Sequence, residues 1–345
     1  MGQADAATVG VTRSGWLESE HRVHVAVCSA AGELVAWAGD PWRFAFWRSS
    51  AKPVQALPLV ESGAADALGL ESAHLAIACA SHRGAAEHTA AAAGLLARAG
   101  LDPAQLRCGI HAPEDGRAAA DLVRRGQEPV RLHNNCSGKH AGMLAVAVHR
   151  GWPLETYLDP EHPLQREIAD VVAACAGARP VLGTDGCGVP TFGLPLAGMA
   201  TAFARLGSGT GLEPGRARAA ERLAAAMAAH PRLISGEGHV NTELLARHGS
   251  RLIAKGGAEG VWCVGLREAG PGLGIAVKVE DGSGRAPGAA MLTVLAALGL
   301  PGGDDPALET HRRPPVLNTL GQRVGEISVR LPQGFGPRQG ASGRP

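Results

Sequence analysis

Several features are scarce in this chain of 345 residues, and each absence excludes a class of protein. Tyrosine occurs once, as Tyr157 in a polar segment, so a mechanism that needs a tyrosine base has one poor candidate. No apolar run approaches the length that crosses a bilayer; residues 291–300 form one of the longest. The first residues lack a basic region followed by an apolar run, so we expect no signal peptide and no contact with a membrane.

An excess of charge of one sign is also absent. The formal net charge is +1, the isoelectric point is near 7.7, and no basic block occurs, which argues against nucleic acid as a partner. The seven cysteines are odd in number and scattered, in a chain large enough to fold without disulfides. This usage predicts a cytoplasmic protein with free thiols.

The order of sequence patterns predicts an α/β (α+β) fold with two lobes. Strand patterns near both chain ends enclose a long helical block, so the simplest packing is one antiparallel sheet from both ends, with flanking helices and an inserted helical lobe. We expect a single catalytic domain over residues 21–332, with a sheet lobe at 21–85 and 250–332 and a helical lobe at 86–249. We predict that residues 1–20 are flexible and that 333–345 are disordered.

A short motif near the first strands carries the first candidate chemistry. Ser49 and Lys52 are three residues apart, which places them on one face if a helix begins here, and Pro53 suits its first turn. A neutral lysine can take the proton of a serine hydroxyl and make it a nucleophile, as in the S-x-x-K motif of penicillin-recognising enzymes. The motif alone is weak, because so short a pattern often arises by chance.

Two further stretches could complete a serine–lysine site. Lys255 and two glycines precede a predicted hairpin, the place of the K-[ST]-G element in such enzymes, and Gly256 would let a substrate approach the backbone. The alternative is a surface turn with a solvated lysine. Ser81 and His82 follow the apolar run 75–80, which we interpret as a buried strand; they could form a second nucleophile or a substrate-binding pair, or Ser81 could simply cap the next helix.

Two loops combine thiols with other polar groups. The stretch 133–140 holds amide, thiol and hydroxyl side chains before a helix whose amides suit an α-carboxylate, and capping by Ser137 explains only one of them. In the glycine-rich loop 183–190, Asp185 could hold a substrate ammonium, and Cys187 could join Cys136 as a thiolate ligand. A turn in which Asp185 bonds its own backbone is the alternative, since two cysteines alone are a weak metal signal.

Together these stretches resemble one family, the asparaginase II family of thermolabile, rhizobial-type (class 3) L-asparaginases. The resemblance covers roughly residues 10–332 and is carried, in order, by the segments 48–53, 79–82, 134–140, 184–188 and 255–260. It implies a fold like that of serine β-lactamases and glutaminases. It also implies hydrolysis of L-asparagine to L-aspartate and ammonia by a homodimer.

The resemblance also implies roles for particular residues. The two Ser–Lys pairs of the family fall on Ser49 with Lys52 and on Ser81 with Lys255. The family's zinc site falls on three residues, with water as the fourth ligand: Cys136, Lys139 and Cys187. The expected substrate contacts, with Asp185 on the α-ammonium, are Arg48, His82, Asn134, Asp185 and Gly256. His239 departs from the family pattern, in which arginine is common at this position. If that arginine contacts the substrate, the affinity for substrate here is in doubt.

The resulting mechanistic hypothesis makes Ser49 the nucleophile that attacks the side-chain amide and Lys52 its general base. Burial and the neighbouring Lys255 would keep the Lys52 amine neutral, and backbone N–H groups would stabilise the oxyanion. Ser81 with Lys255 would relay protons or orient the substrate, and which serine is acylated stays open. Two other classes fit part of the pattern: a serine hydrolase acting on glutamine or a β-lactam, and a non-catalytic protein that binds zinc or an amino acid.

Overall fold

The structure is a computed structural model that describes residues 5–268 and 270–337. The chain divides into two compact units. The sheet unit comprises the described residues of Met1–Ser50, Leu194–Gly211 and Arg251–Pro345, and the helical unit comprises Ala51–Gly193 and Leu212–Ser250. The units therefore interleave along the chain, because the sheet unit draws on three separate segments.

Most strands lie in the sheet unit. In chain order the strands are β1 (Ala7–Arg13), β2 (Trp16–Ser29), β3 (Leu34–Ala38), β4 (Phe44–Phe46), β5 (Val181–Thr184), β6 (Pro190–Pro195), β7 (Leu252–Gly256), β8 (Val261–Leu266), β9 (Leu273–Val279), β10 (Pro315–Leu317) and β11 (Arg323–Arg330). Among the described residues, eight strands form one sheet in the order β10-β11-β1-β2-β9-β8-β7, with β3 also pairing with β2.

The centre of this sheet joins the two ends of the chain. Val25 in β2 pairs with Val277 in β9, and every pairing along the sheet is antiparallel. Residues 23–29 of β2 are all buried, so the strand has apolar neighbours on both faces, as its run of valine, alanine and cysteine predicts. The predicted fold class, an antiparallel sheet from both chain ends with helices around it, is confirmed.

Helices make up most of the helical unit. In chain order they are α1 (Lys52–Gln55), α2 (Leu57–Glu61), α3 (Ala64–Ala67), α4 (Ser72–Ala78), α5 (Ala86–Arg98), α6 (Gly116–Arg124), α7 (Ser137–Arg150), α8 (Pro163–Ala176), α9 (Leu196–Ser208), α10 (Pro214–Ala229), α11 (Pro231–Ser235), α12 (Val240–His248), α13 (Pro287–Ala297) and α14 (Glu309–Arg312). Of these, α9, α13 and α14 belong to the sheet unit. No helix in the described part of the chain is long and apolar enough to cross a membrane.

A close crossing of α4 and α7 positions the polar loops of the helical unit. A Cβ added at Gly138, in the first turn of α7, would lie 2.2 Å from the carbonyl oxygen of Ile77 in α4. Only glycine permits this approach of the two backbones. Because α4 ends at Ala78, the Ser81 loop that follows it emerges beside the first turn of α7.

Three predictions about the fold are wrong. The apolar run 75–80, interpreted as a strand, belongs mostly to helix α4, because a run of that length does not distinguish a strand from a buried helix. Part of the segment 1–20, predicted to be flexible, forms β1 and pairs with both β2 and β11. The units divide at Ser50 rather than near residue 85. Of the predicted disordered tail, residues 338–345 lie outside the described residues.

Helix α9 lies against β8 and β9 at a distance that only glycine allows. A Cβ at Gly274 would lie 2.0 Å from the carbonyl oxygen of Ala200 and 2.4 Å from the amide nitrogen of Ala204. Both are backbone atoms, which cannot rotate away. The helix therefore packs directly on the strand backbone.

We predict that Gly274→Ala lowers the free energy of unfolding by about 2 kcal/mol or more, since overpacking a core typically costs about 1–3 kcal/mol. The measurement is urea or thermal unfolding. The matched control is Gly215→Ala in α10, where nothing lies within 4 Å of the added Cβ, so we expect a change within about 0.5 kcal/mol. Equal stability of the two variants would contradict the packing described here.

Candidate active site

The buried ammonium group of Lys52 is the centre of the polar cluster in the helical unit. Its Nζ donates hydrogen bonds to the carbonyl oxygen of Ala80 at 2.7 Å, the Oγ of Ser81 at 2.9 Å and the carbonyl oxygen of Asn135 at 3.2 Å. The Lys52 side chain is fully buried. The three acceptors match the three N–H donors of an ammonium group, so the buried charge is satisfied.

The same arrangement also suits a neutral amine. Two of the acceptors are carbonyls, which can only accept, and they would occupy the two N–H groups of a neutral lysine. The lone pair would then point at the Ser81 hydroxyl, which can donate. The hydrogen-bond partners of Lys52 Nζ can therefore satisfy either an ammonium group or a neutral amine.

The sheet unit brings Ser49 and Lys255 into one region. A Cβ at Gly257 would lie 2.9 Å from the amide nitrogen of Ser50, so the segment after Lys255 touches the backbone beside Ser49. The Lys255 side chain is buried at the end of β7, and its Nζ donates to the carbonyl oxygen of Gly256 at 2.6 Å. Lys255 is thus not the solvated lysine of a surface turn.

Local geometry separates the two adjacent serines. Residues 48–51 form a short 3-10 helix that continues into α1, so Ser49 and Lys52 are three residues apart on one helical path. Ser50 is fully buried, and its hydroxyl donates to the carbonyl oxygen of Val261 at 3.3 Å, a structural contact. Ser49 is partly exposed and follows Arg48, whose φ of 52° is a left-handed conformation that non-glycine residues seldom adopt.

His82 joins the Ser81 loop to α7. Its Nδ1 accepts from the amide of Gly84 at 3.2 Å, so Nε2 carries the proton and donates to the Ser137 hydroxyl at 2.8 Å. That hydroxyl donates in turn to the carbonyl oxygen of Leu132 at 3.0 Å. Both ring nitrogens therefore bind protein groups, and in this structure His82 shapes the loop.

The two asparagines of the loop before α7 have different surroundings. Asn134 is buried, accepts from the amide of Cys136 at 2.9 Å and donates to the carbonyl oxygen of Gly109 at 2.8 Å. Its side chain therefore fixes the loop from within. Asn135, which the sequence did not single out, supplies one of the three acceptors of Lys52.

The predicted metal ligands converge in the helical unit. The Nζ of Lys139 lies 3.1 Å from the Sγ of Cys187 and 3.7 Å from the Oδ2 of Asp185. The thiol of Cys136 shares a hydrogen bond with Cys187, so the three predicted ligands face one another. Asp185 also forms the predicted turn, because its Oδ1 accepts from the amide of Gly186 at 2.9 Å.

The pKa values of the two thiols in this cluster shift in opposite directions. The hydrogen bond from Cys136, and then the charge of Lys139, lower the pKa of Cys187 to about 5. The same hydrogen bond, together with burial, raises the pKa of Cys136 to about 12. Burial alone would lower the pKa of Lys139, but the charges of Cys136, Cys187 and Asp185 outweigh it and raise the value. These shifts favour a thiolate at Cys187 beside the ammonium group of Lys139.

This donor set fits a zinc ion, although within residues 5–268 and 270–337 no three His, Cys, Asp or Glu side chains are arranged as a metal site. Two thiols and one amine converge, and thiolates suit zinc. The amine would have to lose its proton first, which couples binding to pH. The third proposed ligand is a lysine. Lysine is not among the usual zinc ligands, which are cysteine, histidine, aspartate and glutamate.

Tyr157 is a structural residue. It is fully buried, its hydroxyl accepts from the amide of Arg107 at 2.9 Å, and it lies 2.6 Å from the Nδ1 of His140. Burial raises the pKa of Tyr157, and burial with the charge of Lys139 lowers the pKa of His140 to about 3. Both groups are therefore neutral supports beneath the thiol cluster.

His239 lies away from the buried core. The side chain is exposed, and its Nδ1 accepts from the amide of Asn241 at 3.1 Å, which caps the start of α12. Histidine at this position therefore has a local structural role.

We predict that His82 makes the folded protein sensitive to acid. Burial, and then the charges of His88 and Lys52, hold the pKa of His82 well below its usual 6.5. Below pH 6.5 the unfolded chain therefore binds a proton at His82, whereas the folded protein does not. As the pH falls from 7 to 5, this difference should remove about 2 kcal/mol of stability. In His82→Asn the fall in unfolding free energy, measured in urea at both pH values, should be smaller by that amount. An equal fall in both proteins would contradict the prediction.

The chain has distant likenesses among solved structures and a match to one sequence family. The chain is similar to solved structures described as "Crystal Structure Analysis of Mglu" (17% identity, TM-score 0.46, 83% of this chain and 69% of that chain) and "Crystal Structure Analysis of Mglu in its native form" (15%, 0.45, 83% and 66%). So distant a likeness carries no functional argument. No curated protein matches the chain. The sequence model of L-asparaginase II matches residues 9–329, and the chain therefore belongs to the L-asparaginase II family.

Proposed function

We propose that the protein hydrolyses the side-chain amide of L-asparagine to L-aspartate and ammonia through an acyl-enzyme. Membership of the L-asparaginase II family supports an amide hydrolase. The single observation that carries the serine–lysine scheme is the buried Lys52, with two carbonyl acceptors and the Ser81 hydroxyl around its Nζ. A lysine held this way is poised to accept and return one proton.

The proposed nucleophile is Ser49, the serine of the S-x-x-K motif. Ser49 attacks the carboxamide carbon and its proton passes to the neutral Lys52 amine. The protonated lysine supplies the proton with which ammonia leaves. Water then attacks the ester, and the proton returns by the same route. Ser81, whose Oγ lies 2.9 Å from Lys52 Nζ, relays protons during both formation and hydrolysis of the acyl-enzyme. Lys255, whose segment touches the backbone beside Ser49, stabilises the charges that develop during the reaction.

Recognition of the amino acid relies on charge. Asp185 is the proposed partner of the substrate α-ammonium, and the partly exposed Arg48 is the proposed partner of the α-carboxylate. Backbone N–H groups would bind the oxyanion. Gly256, His82 and Asn134 keep their assignment to the substrate region, with His82 and Asn134 acting through the loops that they hold.

A zinc ion is the proposed metal, bound by Cys136, Lys139 and Cys187 with water as the fourth ligand. When bound, it would supply a fixed positive charge that orders the two loops and orients the substrate. The nucleophile is already a serine, so none of the steps above passes through the metal.

We further propose that the enzyme is a cytoplasmic homodimer. All seven cysteines lie in the described part of the chain and none of them forms a disulfide, which agrees with a reducing compartment. Analytical ultracentrifugation tests the dimer directly.

We predict that Ser49→Ala and Lys52→Met each lower kcat for asparagine by roughly 10³-fold or more, because a nucleophile and its base act as a unit. Ammonia release is the measurement, with glutamine and a chromogenic β-lactam run beside asparagine to test the alternative hydrolases. Ser50→Ala is the matched control and should keep wild-type turnover, since its buried hydroxyl is engaged by the carbonyl oxygen of Val261.

Mass spectrometry of acyl-enzyme trapped during turnover locates the nucleophile. The added mass should appear on the peptide that contains Ser49, and its appearance on the peptide with Ser81 would reverse the two roles. Near-normal hydrolysis by both variants would exclude the scheme. Binding of asparagine or zinc with no turnover of any substrate would favour the non-catalytic alternative.

We predict that the protein binds one zinc ion per chain and that Cys187→Ser abolishes this binding, while Cys263→Ala, a buried cysteine in β8, retains it. Elemental analysis of the purified proteins measures both. Removal of the metal by a chelator should raise KM for asparagine and leave measurable kcat. Loss of all turnover on chelation, with the fold intact by circular dichroism, would contradict an ordering role.

A further inference from the structure

Asn135 contacts four different groups with its four polar atoms. Its carbonyl oxygen accepts from Lys52 Nζ at 3.2 Å, and its Oδ1 lies 3.1 Å from the Sγ of Cys136. Its backbone N–H donates to His111 Nε2 at 3.0 Å, and its Nδ2 donates to Glu114 Oε1 at 3.0 Å. The residue therefore connects the candidate general base, a candidate metal ligand and the segment 111–114.

The contact with His111 has a defined tautomer. His111 Nδ1 lies 2.7 Å from the carbonyl oxygen of Ala112, so Nδ1 carries the proton and Nε2 is the acceptor for the Asn135 amide. The peptide group before Asn135 is thus held from one side, and the side chain is held from another by Glu114. Two fixed points on one residue restrict the direction of its carbonyl group.

The segment that carries His111 and Glu114 is itself tied to the Ser81 loop. Arg83 donates from Nη2 to the carbonyl oxygen of Glu114 at 2.9 Å, and the amide of Asp115 donates to the carbonyl oxygen of Arg83 at 2.8 Å. Helix α6, which follows, has no buried residue. These polar contacts connect the segment 111–114 with the candidate site.

We propose that Asn135 is a positioning residue for Lys52, and that Glu114 fixes it in place. The inference rests on the proposed role of Lys52 as the base. Because the carbonyl group of Asn135 is held in one direction, one of the three acceptors around Lys52 Nζ stays fixed. The lone pair of the neutral amine then points at the Ser81 hydroxyl. If the carbonyl turns away, the amine rotates and proton transfer is misaligned, at a cost of up to 10²-fold in rate for a displacement of about 1 Å.

An exchange of amide and carboxylate tests this proposal. Asn135→Asp places a carboxylate against Glu114, and the repulsion should turn residue 135, lowering kcat roughly 10- to 100-fold with KM changed less than about threefold. Adding Glu114→Gln restores an amide–carboxylate hydrogen bond with the two groups exchanged, so the double variant should recover most of kcat. Glu114→Gln alone keeps an acceptor for Asn135 and should stay close to wild type.

A variant at a second exposed acid of the same region is the control. Glu128→Ala removes a carboxylate that does not contact Asn135 in the hydrogen bonds described above, and it should leave kcat unchanged. Thermal unfolding establishes that every variant is folded, and Glu114→Ala, at an exposed position, replaces Asn135→Asp if that variant does not fold.

A measurement without turnover separates this inference from the proposed function. The ¹³Cε resonance of Lys52, assigned by its absence in Lys52→Met, should shift in Asn135→Asp and return in the double variant. An unchanged resonance with wild-type kcat in Asn135→Asp overturns the positioning role, as does a folded double variant that recovers nothing. Lys52→Met with full activity refutes the proposed function, and the resonance then still decides whether Asn135 orients Lys52.

Discussion

The burial of Lys52 is the constraint on which the helical part of the site depends. A fully buried lysine is tolerated only when its donors are satisfied, and here two of the three acceptors are backbone carbonyls. Carbonyls cannot be moved without moving the chain. The end of α4 and the start of α7 must therefore meet at a fixed separation. The Gly138 contact with Ile77, where a Cβ would come within 2.2 Å of the carbonyl oxygen, is what allows them to meet.

Lys139, the second buried lysine of the helical unit, has charged partners where Lys52 has carbonyl groups. Lys139 lies between Cys187 and Asp185, and the thiolate of Cys187 compensates its ammonium group. The two lysines therefore have different surroundings: Lys52 Nζ faces two carbonyl oxygens and one hydroxyl, whereas Lys139 Nζ faces a thiol sulfur and a carboxylate. This difference agrees with the proposed role of Lys52 as a base and the proposed role of Lys139 as a metal ligand.

Part of this architecture could be predicted from the sequence. The helical block and the hairpin after Lys255 are recognisable because proline, glycine and apolar periodicity determine such elements locally; α8 and α10, for example, both begin at a proline. Strand β1 was missed because its polar surroundings hide a pattern that pairing with β2 and β11 stabilises. In the same way α4 was mistaken for a strand, since its short apolar run is ambiguous until its neighbours are known.

The candidate site shows the same limit at the level of single residues. Ser49, Ser81, Lys52 and Lys255 are candidates by residue type and order, because few residue types can act as a nucleophile or as its base. The Lys52–Ser81 hydrogen bond joins residues 29 positions apart, and no spacing rule predicts it. The contacts of Asn135 with His111 and Glu114 span 24 and 21 positions and involve ordinary polar residues. A catalytic group can be inferred from its chemistry, but the residues that orient it are defined only by the fold that brings them together.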